Sequence, residues 1–90
     1  DKEVLLFPNP AHCWPLRWQY AGERSPNEWR IVDREGKLIA KGAIEPWITQ
    51  EGIRQGWIEG PPQLSPGVYI IEWMESGERV DSARWIWEPQ

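Results

Sequence analysis

Gly67-Val68-Tyr69-Ile70-Ile71-Glu72-Trp73-Met74 (GVYIIEWM, residues 67–74) is the most strand-like run of the chain. Val68 to Ile71 are contiguous apolar residues of the β-branched and aromatic types that suit a pleated surface. That density predicts a central strand covered on both faces. The run starts at a glycine that lets the chain turn out of the Pro66 loop, and it stops before Glu75-Ser76-Gly77-Glu78, which reads as a hairpin turn. Arg79 to Glu88 then returns, with Trp85 and Trp87 on the same face.

Outward from this hairpin the same grammar repeats. Val4 to Phe7 is an apolar strand ended by Pro8, and Leu16 to Tyr20 alternates Leu16, Trp18 and Tyr20 against Arg17 and Gln19. Trp29 to Asp33 puts Trp29 and Ile31 on one side. Arg34-Glu35-Gly36-Lys37 turns where Gly36 can take a positive φ, and Lys37 to Ala43 returns. Trp57-Ile58-Glu59 makes a short strand before Pro61-Pro62, while Glu45 to Gly56 carries no clear pattern. Nine prolines and eight glycines interrupt any helical period. The expectation is an all-β, seven-stranded antiparallel β-sandwich, immunoglobulin-like, forming one domain over residues 1–90.

Ninety residues suffice for one domain. A chain of this size buries only about 60–65% of its unfolded surface, so each large side chain counts. Eight tryptophans against one phenylalanine is the oddest feature of the composition. Core filling is the ordinary fate of aromatics. The functional reading is a glycan-stacking platform, with Trp47, Trp57, Trp85 and Trp87 as its candidates. Ten basic against fourteen acidic residues, interspersed, give a net charge of −4, so no basic stripe exists to track nucleic acid. No apolar run approaches the roughly 18 residues of a membrane helix. Residue 1 is Asp, and the sequence reads as a piece excised from a larger secreted protein. The single cysteine, Cys13, forms no internal disulfide.

Residues for chemistry are sparse. His12 and Cys13 are neighbours, and neighbouring side chains on a strand diverge, which disfavours a catalytic dyad. Neither Cys-x-x-Cys nor His-x-x-x-His spacing occurs, and no glycine cluster opens a phosphate-binding helix. The carboxylates mostly alternate with apolar residues, as solvated-face residues do. The expectation is a non-catalytic domain with no cofactor and no metal.

Three turn motifs occur in order: Pro8-Asn9-Pro10-Ala11 after an apolar strand, Ile31-Val32-Asp33-Arg34-Glu35-Gly36-Lys37, and Leu64-Ser65-Pro66-Gly67-Val68-Tyr69-Ile70-Ile71. A short strand closes the chain. Over essentially its whole length this resembles the C-terminal sorting domain of the type IX secretion system of Gram-negative bacteria, with its series YPNPA, I-x-D-x-x-G-K and L-x-x-G-V-Y-I. The chain departs from that pattern in Phe7 where Tyr is common, in a longer and Trp-rich tract from Glu45 to Gly60, and in Arg84-Trp85-Ile86-Trp87-Glu88 where a basic aliphatic strand is usual. Arg84 stands at the basic position.

The resemblance implies a secretion signal behind an N-terminal cargo domain. Its implied partners are the outer-membrane translocon and its shuttle, and a sortase-like peptidase that removes the domain near or upstream of Asp1 and joins the cargo to cell-surface lipopolysaccharide. The implied itinerary is the periplasm in transit, then the cell surface or the medium. The sorting-motif residues are Pro8, Asn9, Pro10, Ala11, Asp33, Gly36, Lys37, Gly67, Val68, Tyr69 and Arg84. Each also has a plain structural reading. The prolines fix φ and extend the residues before them, making a corner from which the next strand crosses to the other sheet. Asp33 closes the turn to Gly36, and the Tyr69 hydroxyl reaches a backbone partner while its ring is buried. Two rival readings remain: a carbohydrate-binding sandwich of a secreted multidomain enzyme, and a structural linker between catalytic domains.

Overall fold

The computed structural model describes residues 4–45, 47–48 and 51–89. Among them are eight strands: β1 (Val4–Phe7), β2 (Leu16–Tyr20), β3 (Glu28–Val32), β4 (Leu38–Ala43), β5 (Trp47–Ile48), β6 (Arg54–Ile58), β7 (Gly67–Glu75) and β8 (Glu78–Trp87). They form two four-stranded sheets, β1-β2-β6-β5 and β4-β3-β7-β8, and every pairing between these strands is antiparallel. The strand order is that of an immunoglobulin-like sandwich. All seven expected strands are present. The eighth, β5, is two residues long and falls in the tract that carried no legible pattern, and β6 starts at Arg54, ahead of the expected Trp57.

The core is built from the alternate residues that face inward. Val4, Leu16, Trp18, Tyr20 and Ile58 come from the first sheet, and Trp29, Ile31, Tyr69, Ile71, Trp73, Trp85 and Trp87 from the second. The indoles form two groups. Trp14 stacks on Trp87 at 4.8 Å between ring centroids and lies 5.2 Å from Trp85, which also meets Tyr69. Trp18 meets Trp73 edge-on at 6.1 Å. Such pairs add to the burial of their area.

Glycine makes this much indole fit. Gly56 lies opposite Trp18, and Gly42 opposite Trp29. A Cβ at Gly56 would stand 2.9 Å from the Trp18 ring, and one at Gly42 2.6 Å from the Trp29 ring. Each glycine leaves a floor on which the neighbouring strand's tryptophan lies.

Two local expectations need correction. β7 is central, between β3 and β8, but only its inward face is fully covered. Tyr69, Ile71, Trp73 and Met74 are buried, whereas Val68, Ile70 and Glu72 are half-buried on the outer face of a two-layer sandwich. The proline corner does not send the next strand to the other sheet. β2 returns beside β1, with Phe7 opposite Arg17, and it is the corner itself that crosses to β8.

Candidate functional site

The corner is sewn to the last strand by its own polar groups. The Asn9 side chain donates from Nδ2 to the Arg84 carbonyl at 3.0 Å and accepts at Oδ1 from the Ile86 amide at 3.0 Å. One carboxamide thereby serves as a strand neighbour for the open edge of β8. Ala11 continues the pairing in parallel: its amide donates to the Ile86 carbonyl at 2.9 Å, and its carbonyl accepts from the Glu88 amide at 2.8 Å. His12 Nδ1 donates to the Glu88 carbonyl at 2.7 Å, so the lone histidine is a clasp. Ala11 is completely buried, which leaves no room for a larger side chain. Pro8, Asn9 and Pro10 are exposed around it.

The other motif residues gather at the same end of the second sheet. Asp33 Oδ1 accepts from the amides of Glu35 and Lys37, both at 2.9 Å, and the Asp33 carbonyl accepts from the Gly36 amide. Gly36 has φ 85°, a conformation that favours glycine. The expected Asx closure is present, although its side-chain bonds flank Gly36. Tyr69, at the start of β7, buries its ring and donates from its hydroxyl to the Ser65 carbonyl at 2.6 Å, the tyrosine corner of immunoglobulin-like sandwiches. Burial raises the Tyr69 pKa, and the Asp33 carboxylate adds to the effect. Gly67 and Val68 pair with Trp87 and Ile86, and Val32 pairs with Ile70. The Asp33 turn, the start of β7, the end of β8 and the proline corner are thus neighbours.

On the outer face of this end one cross-strand row reads Leu38, Val32, Ile70, Arg84, with Val68 and Ile86 as a second row. Leu38 is 46% exposed, Arg84 is exposed, and Val32 and Ile70 are half-buried. The result is an apolar band across four strands, with Lys37 next to Leu38 at one edge and Arg84 at the other.

Two of the four tryptophans expected to make a stacking platform, Trp85 and Trp87, meet each other in the core, 5.4 Å apart between ring centroids, and present no face to solvent. They are buried in the sandwich, because the inward parity of β8 is set by its pairing with Tyr69 and Gly67. The Trp87 indole donates to the Leu64 carbonyl at 2.8 Å. The Trp47 side chain lies outside the described residues. Of the three whose side chains are described, Trp57 alone is exposed, on the outer face of the first sheet. The sequence reading missed its company. Phe7, Arg17 and Trp57 are directly opposite one another on β1, β2 and β6, with the Arg17 guanidinium 5.5 Å from the Phe7 ring centroid and 5.8 Å from that of Trp57. The available signal was the period-2 complement of the buried residues, which puts Phe7, Arg17 and Trp57 outward together once the strands pair.

The opposite end of the molecule is locked by charge. Arg24 donates to Glu75 Oε1 and Glu78 Oε1, each at 2.6 Å, and the Ser25 amide donates to Glu75 Oε2 at 3.0 Å. Glu75 and Glu78 face each other across the hairpin, so Arg24 relieves a like-charge pair. The hydrogen bond from Arg24, then that from Ser25, holds the Glu75 carboxyl below its ordinary pKa, and both carboxylates raise that of Arg24.

Comparison with family models, with curated proteins and with solved structures finds no match to this chain.

Proposed function

We propose that this domain is a non-catalytic C-terminal sorting signal, read in folded form by the type IX secretion machinery and carrying an attached cargo across the outer membrane. The observation that carries the reading is the convergence of the motif residues. Groups separated by up to 75 positions, Asn9 and Arg84, are bonded to each other. The Asp33 turn and the Tyr69 corner lie beside them, at the end of the sheet that displays the Leu38-Val32-Ile70-Arg84 row. An exposed apolar band bordered by cations is the kind of surface a partner protein recognises. A sortase-like peptidase would act on the connection upstream of the domain, leaving the sandwich itself without a reaction to perform.

The test is a fusion of residues 1–90 behind a folded periplasmic reporter, expressed in a bacterium that carries the system. The reporter is expected at the cell surface. Arg84→Glu and Leu38→Asp, both at exposed positions, are expected to leave melting unchanged and to hold the reporter in the periplasm. Periplasmic retention of the unmutated fusion with both parts folded would count against the proposal. Deleting Arg84 to Gln90 is a poor substitute, since it removes the buried Trp85 and Trp87 and with them the core.

A further inference from the structure

We infer that the outer face of the first sheet carries a second site, independent of the sorting surface, that binds an acidic saccharide through Phe7, Arg17 and Trp57. Trp57 is 52% exposed and Leu5, one row away, is 55% exposed, a costly display for a small domain unless a partner covers it. Phe7 and Trp57 flank Arg17 in strict cross-strand register, so the three groups hold one another in place before anything binds. Pro8 and Pro15 complete a shallow depression of about 540 Å³ and add walls with no side-chain rotamers to freeze.

The chemistry of the lining selects the occupant. An exposed indole offers a flat face to the C–H groups of a pyranose ring. The carboxamides of Gln19 and Gln55 lie in the next row, Gln55 Oε1 accepting from both Gln19 and Arg17 at 3.2 Å, and suit sugar hydroxyls. Arg17 supplies a cation that no acidic side chain among the described residues pairs with, in a domain of net charge −4. Its planar fork suits a carboxylate. One cation beside one indole matches a sugar that carries one carboxylate per ring, a uronate. It does not match a densely charged polyanion, which the net negative charge would repel.

The experiment is a titration of the 90-residue chain with trigalacturonic acid, with cellotriose as the neutral probe. It is followed by the indole N–H resonances in a ¹H–¹⁵N spectrum and by calorimetry. Trigalacturonic acid is expected to bind with a dissociation constant of about 1 mM or tighter, to shift the Trp57 indole, and to weaken with added salt. Trp57→Ala is expected to weaken binding about tenfold or more, and Arg17→Gln to erase the preference for the acidic over the neutral trisaccharide. Both positions are exposed, so melting should not change, and Leu38→Ala on the other sheet should leave binding intact. Absence of binding at 10 mM, which is about ten times the expected constant, would overturn the inference. So would binding indifferent to both substitutions. Equal binding of triglutamate would identify the face as a peptide site and overturn it as well.

Discussion

Gly42 and Gly56 lie under the indoles of Trp29 and Trp18, and their missing side chains are as much a part of the core as the rings. Gly56→Ala and Gly42→Ala are expected to destabilise by about 1–3 kcal/mol each through overpacking, since a Cβ at 2.9 Å or 2.6 Å from the ring forces a rigid indole or its strand to shift. Thermal melting checks this, with an expected fall of about 5–15 °C. Combining Gly56→Ala with Trp18→Phe should cost less than the sum of the two changes, because the smaller ring vacates the space the methyl needs. Asn9→Ala removes two hydrogen bonds to β8 and should cost about 1–3 kcal/mol. Hydrogen exchange should quicken at the Ile86 amide first. At this scale the sequence was half legible. The Asp33 turn and the Tyr69 hydroxyl were read from neighbours at most four residues away. The partners of Asn9, 75 and 77 positions distant, and the Trp18–Gly56 pair, 38 apart, were not, because no local pattern encodes a cross-strand register.

The β7–β8 hairpin shows what an element adds to its residues. Ser76 and Gly77 have φ of 50° and 86°, which is the pattern of a type I′ turn between paired Glu75 and Glu78. Serine is a poor occupant of the first position, and Ser76→Asn is expected to raise stability by about 0.5–1 kcal/mol, read as a higher melting temperature. The Arg24 clasp on this hairpin makes part of the stability depend on pH. Glu75 has a folded pKa below its ordinary 4.5, so the clasp contributes fully above about pH 4.5 and fades as the pH falls through the lower folded value. The difference in melting temperature between the native chain and Arg24→Gln should therefore be largest near neutrality and shrink below pH 4.5. It should also shrink in high salt, since the groups are solvent-accessible. The strands of this hairpin were evident from their apolar runs and the glycine turn. Which face of β8 is inward was not evident: core filling is the ordinary reading of Trp85 and Trp87, yet the sequence leaves both as candidates for a surface platform. Parity along a strand says that two residues share a face, while only pairing with β7 says which face that is.

At the scale of the whole molecule, two sheets present two different outer faces. The second sheet ends in the gathered motifs and the apolar row that runs to Arg84. The first displays the cation flanked by two aromatic rings. The all-β class and the seven long strands followed from breaker spacing and alternation. The two-residue β5 did not, being too short for any period. The crossing of the proline corner to β8 is what turns separated motifs into one surface, and the sorting proposal depends on that surface being read intact. The most direct measurement is the surface-exposed fraction of a reporter fused to residues 1–90, compared between a strain with the type IX translocon and an otherwise identical strain without it. The account predicts surface exposure in the first and periplasmic retention in the second, with the domain folded in both. Equal localisation in the two strains would contradict it.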